Sequence, residues 1–196
     1  MMGNNKLLFA TSNIGKFKEA VKVFEKYGLD IEMAQIKRFE VQSDDLVEIA
    51  IISALFALEE VKNPVIVEDA GLFIEALNLF PGPYSSYVYK TIGLDGILKL
   101  MENIKNRQAY FLSIIAYCKS ESEVKIFEGK VDGTIIHEKR GEKGFGFDPI
   151  FCPREGDGRT FAEMSTEEKS MLSHRGNSFR KLALWLKQKK GKKVKV

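Results

Sequence analysis

No stretch of this chain is apolar for anything near the roughly 20 residues that cross a bilayer. The longest apolar run, Ala50 to Leu58, is interrupted by Ser53 and fits a buried helix. Cysteine is scarce. Cys118 and Cys152 lack the spacing of a metal site and read as free thiols in a reducing cytoplasm. Met1 to Lys6 lacks the pattern of a secretory signal. No internal repeat, linker or low-complexity segment precedes the lysine-rich end. These absences argue against a membrane span, a disulfide-stapled secreted domain and a cysteine-held zinc module. What is left, 196 residues with 44% hydrophobic and 29% charged, is an ordinary soluble globular composition. That length suits one domain, or two lobes around one core.

The net charge of +3 misleads about partners. Lys187 to Val196 hold six lysines and no acid, and without them 24 basic residues face 27 acidic ones. A basic tail can touch nucleic acid or a membrane. The reading preferred here is a helix terminus, where lysines suit the negative end of the dipole. An acidic body argues against an extended nucleic-acid groove. No stable nucleic-acid partner and no membrane contact are expected.

What is present centres on Val65-Ile66-Val67-Glu68-Asp69-Ala70-Gly71. The β-branched run after Pro64 reads as a buried strand that ends in two acids, with Gly71 letting the backbone turn. Ligand sites collect at strand ends in α/β sheets. Paired carboxylates there fit a hard-metal site, although a solvated strand end or a helix cap gives the same pattern.

Near the start, Lys6 to Ala10 reads as a strand and Thr11-Ser12-Asn13-Ile14-Gly15-Lys16 as a polar turn. A helix follows, with Phe17, Ala20, Val21 and Phe24 on its apolar face. Strand, polar loop and helix place amides and Lys16 at a helix N-terminus, where an anion binds well. A plain turn with Lys16 in solvent is equally compatible, and the glycines do not match a P-loop.

Leu29 to Ala34 reads as a strand and Lys37 to Gln42, including Glu40, as a short extended piece. Ser43 or Asp44 can cap a helix from about Asp45 to Val61 that is apolar nearly all round and so expected to be buried on both sides. Leu79 to Ser86, with prolines around Gly82, forces a rigid turn that could order a dimer surface or a cleft. A helix is expected over Leu94 to Met101. Two long strands are expected over Arg107 to Tyr117 and Val124 to His137, joined by a hairpin loop from Cys118 to Glu123. Gly129 and Gly133 mark a bulge or bend. Gly144-Phe145-Gly146-Phe147-Asp148 offers either a stacking platform for a base or a hydrophobic plug. Ser165 and Glu168 form a capping box for a short helix that carries Lys169. His174 and Arg175 open the last helix, whose stripe is Phe179, Leu182, Ala183 and Leu186. Cations oppose the dipole at a helix start, so their placement there points to function.

Taken together, TSNIGK (Thr11–Lys16), VEDAGL (Val67–Leu72), FPGPYSS (Phe80–Ser86), GFGFDPIF (Gly144–Phe151), TFAEMSTEEK (Thr160–Lys169) and SHRG (Ser173–Gly176) resemble the inosine/xanthosine triphosphate pyrophosphatase family. The likeness runs from about Leu7 to Leu186, and several motifs in one order over that length are highly specific. It implies an α/β fold with two lobes around a long mixed twisted sheet and a cleft between them, spanning 1–196 with a basic tail from about 187. It also implies a homodimer and a Mg2+-dependent hydrolysis of noncanonical purine nucleoside triphosphates to monophosphate and pyrophosphate.

By the same resemblance, Thr11, Ser12, Asn13, Ile14, Gly15 and Lys16 would hold the triphosphate. Asp69 would be catalytic and a metal ligand, with Glu40 a second ligand and Glu68 close by. Phe145, Gly146, Phe147, Asp148, Lys169, His174 and Arg175 would bind the nucleotide, chiefly its base end. Ala70 counts among the substrate-binding positions, but many relatives have serine there, so a hydroxyl contact is missing. Many relatives carry a substrate lysine near Ile52 to Ala54, and this chain has none there. Tyr87 stands where bacterial relatives often have arginine. The competing readings are a pyrophosphatase for other modified nucleotides, and a nucleic-acid-binding protein that uses the tail with Phe145 and Phe147.

Overall fold

The computed structural model describes residues 7–36 and 41–192, with the backbone alone for 190–192. Lys37 to Glu40, most of the piece read as extended, lie outside the described residues. The elements are β1 (Leu7–Ala10), α1 (Ile14–Lys26), β2 (Ile31–Ala34), α2 (Leu46–Val61), β3 (Val65–Ile74), β4 (Pro81–Gly82), α3 (Ser85–Thr91), α4 (Gly93–Leu100), β5 (Gln108–Ser120), β6 (Glu123–Ile135), β7 (Phe151–Pro153), α5 (Thr166–Leu172) and α6 (His174–Lys192). They build a mixed seven-stranded sheet in the order β2-β1-β3-β5-β6-β7, with β4 added to β3.

The expected strand end at Glu68 is not an end. β3 runs on to Ile74 and pairs antiparallel with β5 over its whole length, from Val65 opposite Cys118 to Ile74 opposite Ala109. Its other edge is shared. Parallel β1 covers Val65 and Ile66, and β4 covers Leu72 and Phe73. Between them, no strand among the described residues covers Val67 to Gly71 on that edge. Gly71 is therefore not a turn. It serves close approach, because a Cβ there would overlap the carbonyl of Gly82.

Strand alternation sends neighbours to opposite faces. Ile66 and Ile115 face α1 and α6, where Phe9, Phe24 and Phe179 meet edge to face with ring centroids 5.4 and 5.8 Å apart. Such pairs add about 0.5–1.5 kcal/mol each beyond area burial. Val65, Val67 and Ile114 face α2. Two helix expectations are corrected. The buried face of α1 is Glu19, Ala20, Val23 and Phe24, so Val23 replaces Val21. α2 is fully buried only along Leu46, Ala50, Ala54 and Ala57, a stripe whose small residues let its axis lie close on the sheet. Its cap is Asp45, which accepts from the Val47 amide; Ser43 instead accepts from the Asp45 amide and bonds to Glu48.

The hairpin expectation also moves. β5 continues to Ser120, and the register shift falls between Cys118 and Ser120, not at the glycines. Gly129 and Gly133 are sites of close approach: a Cβ on Gly129 would overlap His174 O and Ser178 N, and one on Gly133 would overlap Cys152 O. Gly129 thus lets the first turn of α6 lie directly on β6. Gly129→Ala is expected to cost about 1–3 kcal/mol or more, because two backbone atoms must move. Urea unfolding measures this, and an unchanged midpoint would show that α6 has slack there.

Candidate active site

The site opens where β1 stops and β3 continues. The chain leaves β1 through buried Thr11, whose Oγ1 accepts from the Asn13 amide at 3.1 Å. Asn13 caps α1 by accepting from Lys16 N at 3.1 Å. Ser12, Asn13 and Ile14 are exposed, and the first-turn amides of Ile14 and Gly15 have no intrahelical acceptor. Lys16 reaches past the end of β1 to the uncovered edge of β3. Its Nζ lies 2.9 Å from Glu68 Oε2, 3.7 Å from Asp69 Oδ1 and 3.2 Å from the carbonyl oxygen of Glu68.

Glu68 shares the face of Ile66, and it is 1% exposed. Its Oε1 receives Ser113 Oγ at 2.8 Å and Arg175 Nε at 3.1 Å. Arg175 Nη1 lies 3.3 Å from Glu19 Oε2, and Lys169 Nζ sits 2.7 Å from both Glu19 Oε1 and Asp148 Oδ2. One buried network therefore joins α1, β3, α5, α6 and the loop before β7. Burial alone would raise the Glu68 carboxyl, but Arg175 and Lys16 outweigh it and hold the group at about 2. Glu19 is likewise lowered against its burial by Arg175 and Lys169. Asp148 is raised, since burial and the Glu19 charge together outweigh Lys169. His174 is driven well below its ordinary value by burial and then by Arg175, Lys169 and Lys16, so it is neutral at pH 7.

The two aromatics of GFGF separate. Phe147 is buried in the core, edge-on to Tyr89, so the platform read from two rings reduces to Phe145. Phe145 stands over the loop: a Cβ on Gly15 would come within 2.6 Å of its ring. Lys169 Nζ lies 4.5 Å and Arg175 Cζ 5.2 Å from the ring centroid, within cation–π range. Asp148 Oδ2 accepts from the Phe145 amide at 2.8 Å, made possible by Gly144 at φ +77°. A cavity of about 250 Å³ opens here, lined by Ile14, Gly15, Glu19, Phe145 and Lys169 among others. His174 stacks on Phe111 at 4.6 Å, and its buried Nδ1 has no hydrogen-bond partner among the described residues. Two larger hollows, around Arg107 and His137, touch none of the expected site residues.

Thus Lys16, Glu68, Asp69, Phe145, Asp148, Lys169 and Arg175 converge, and Ala70 lies on β3 opposite Ser113. Gly146, at φ +62°, continues the loop. The expectation of a metal site splits. Glu68 and Asp69 are successive strand residues on opposite faces of the sheet, and both Glu68 oxygens already face cations. Asp69, with a side chain 21% exposed, offers a hard oxygen. This fits an ion such as Mg2+, which takes one or two carboxylates and completes its shell with water and substrate phosphate. Among the described residues no three His, Cys, Asp or Glu side chains form a metal cluster. Glu40 lies outside them.

Residues 7–185 match the Ham1 family. The chain belongs to this family. It is 51% identical over 182 residues to a dITP/XTP pyrophosphatase of Methanopyrus kandleri, covering 93% of this chain and 96% of that one. Over 183 residues it is 52% identical to a dITP/XTP pyrophosphatase of Thermococcus kodakarensis, covering 93% and 98%. Among solved structures, a HAM1 protein from Coxiella burnetii superimposes with a TM-score of 0.83 at 30% identity, covering 93% and 98%. The mixed α/β sheet described above is thus the Ham1 fold.

Glu19 and Ser113 were missed from the sequence. Glu19 was detectable, since it falls on the buried stripe of α1 with Ala20 and Val23, where an acid has no apolar reason to sit. Ser113 gave no signal inside a strand of mixed composition.

A pH experiment tests the network. Folded Glu68 titrates at about 2, below the ordinary 4.5, so its contribution is complete above about 4.5 and is lost as pH falls toward 2. With chelator present, Glu68→Gln is expected to be less stable at pH 7 by on the order of 3 kcal/mol. That gap should close as the pH is lowered through the same window. A gap constant with pH would show that Glu68 is not held ionised by Arg175 and Lys16.

Proposed function

We propose that this Ham1-family chain hydrolyses noncanonical purine nucleoside triphosphates, dITP and XTP among them, to the monophosphate and pyrophosphate. The observation that carries the reading is the meeting of Lys16 and Arg175 on one buried carboxylate, Glu68. A nucleotide with its phosphates at the 11–16 loop then meets two cations held on one carboxylate, Lys16 for the phosphates and Arg175 for the base end. The names of the relatives from Methanopyrus kandleri and Thermococcus kodakarensis support the same substrate class.

The phosphates bind to Lys16 and the first-turn amides of α1, where the helix dipole favours negative charge. Asp69 holds a water in line with the α-phosphorus and accepts its proton. Asp69, with Glu40 as a second ligand, would hold Mg2+, which when bound would supply positive charge against the phosphate oxygens. Phe145, whose ring rests on Gly15, swings off the loop to stack on the purine at the base end. Arg175 and the neutral imidazole of His174 present N–H donors toward position 6, where hypoxanthine and xanthine carry a carbonyl and adenine an amino group. A donor left facing an amino group loses its bond, and such mismatches discriminate by up to roughly 10^4–10^5.

Two further readings complete the proposal. Tyr87 is 69% exposed, and Tyr84, Tyr89 and Ile92 are also exposed along the same segment, apolar surface that a second copy of the chain would cover in a homodimer. Free Cys118 and Cys152 suit a cytoplasmic location.

Pyrophosphate release with Mg2+ should be fast from dITP and XTP and slow from dATP. Comparable rates on dATP would point to a general nucleotide pyrophosphatase. Asp69→Asn should lower kcat about 10^2–10^4-fold with the fold retained, the range expected for a lost general base. Near-normal turnover would remove Asp69 from the chemistry. Lys16→Ala should raise KM about 10- to 100-fold for every base alike, because the triphosphate is common to all. A loss confined to one base would place Lys16 elsewhere.

A further inference from the structure

Beneath the site lies a pair of buried hydroxyls that the reaction scheme does not use. Ser113 on β5 and Ser178 on α6 are both 0% exposed, with oxygens 2.9 Å apart. Ser113 Oγ reaches Glu68 Oε1 at 2.8 Å, and Ser178 Oγ lies 3.0 Å from the carbonyl oxygen of Arg175. A carboxylate can only accept, so the single Ser113 proton goes to Glu68. Its oxygen is then left as an acceptor toward Ser178, whose one proton is shared between Ser113 Oγ and the carbonyl oxygen of Arg175. Burying two hydroxyls where β5 otherwise carries Ile114, Ile115 and Ala116 gains nothing in packing, and alanine would fill the place without a polar group to satisfy.

What the hydroxyl adds is orientation. A glutamate carboxylate turns about a broad terminal torsion. With Arg175 Nε alone on Oε1 and Lys16 on Oε2, its plane would follow whichever cation moved. Ser113 belongs to the central hairpin and is independent of both cations, so it fixes that plane. We propose that Ser113, backed by Ser178, is a positioning residue that locks Glu68, so that Lys16 and Arg175 are held in register for the two ends of one nucleotide. This rests on the reading of Lys16 and Arg175 given above.

The test uses the full chain with Mg2+, measuring kcat and KM for dITP and dATP and competitive inhibition by inorganic triphosphate. Ser113→Ala should raise KM for dITP roughly tenfold, the scale of one hydrogen bond to a charged group, with a smaller change in kcat. Inhibition by inorganic triphosphate should weaken in parallel, and the preference for dITP over dATP should narrow. Ser178→Ala, a change that a helix favours, should fold normally and give a smaller shift in the same direction. In a Glu68→Gln background, Ser113→Ala should add nothing to the loss of triphosphate binding. An additive effect there would overturn the proposal, as would unchanged KM and base preference in Ser113→Ala beside a wild type active on dITP. A wild type that releases no pyrophosphate from dITP would instead overturn the functional reading itself.

Discussion

A buried carboxylate must be neutralised where it stands, and in this chain that carboxylate is Glu68. Removing it from water costs several kcal/mol, which only close cations and hydrogen bonds offset. Lys16, Arg175 and Ser113 do so from three separate elements. The charge therefore ties the N-terminal turn of α1, the start of α6 and the central strand β5 to one point of β3. Arg175 in turn neutralises Glu19, and Lys169 joins Glu19 to Asp148, which fixes the amide of Phe145. Positions far apart in sequence become one rigid unit because no member can leave without stranding a charge.

The sheet decides where that unit sits. β3 outruns β1, and β4 returns to the same edge only at Leu72. The gap leaves the backbone edge of Val67 to Gly71 without a partner strand, only Asp69 and Ala70 keep partial exposure, and the first turn of α1 fills part of the gap with Lys16. Two acids in succession on a strand cannot share one face. Glu68 turns inward to the network, and Asp69 turns to the side of α2 and keeps partial access to water. A single strand thus separates a buried, paired charge from an accessible one, using nothing but the pleat.

This division explains what could and could not be read from the residues. Strands of β-branched residues, the α6 stripe and the capping box at Ser165 and Glu168 follow from local preference, and the structure has each of them, whereas the α1 stripe takes Val23 in place of Val21. Glu68 and Asp69 stood out as acids after an apolar run. Whether the strand stopped there depended on β5, a partner more than forty residues away, and local composition carried no trace of it. The same holds for Gly71 and Gly129, which look like turn or bulge residues but are needed because β4 and α6 pass too close for a side chain. Phe145 and Phe147 were equivalent in sequence and were separated only by which of them the core near Tyr89 took.

The resting balance of charge also bears on how a triphosphate can enter. Lys16, Lys169 and Arg175 are already matched by Glu19, Glu68 and Asp148, so the network holds little spare positive charge for an anion carrying several negative ones. Lys16 can turn toward phosphate only by sharing itself with Glu68, and Arg175 still neutralises that carboxylate when it does. The amides at the start of α1 contribute only a fraction of a charge. The rest of the neutralisation has to arrive with the substrate, which is what a divalent cation beside Asp69 would provide. On the function proposed above, the site's own cations are committed, so phosphate affinity alone would not drive binding and the contacts at the base end would decide which purine stays.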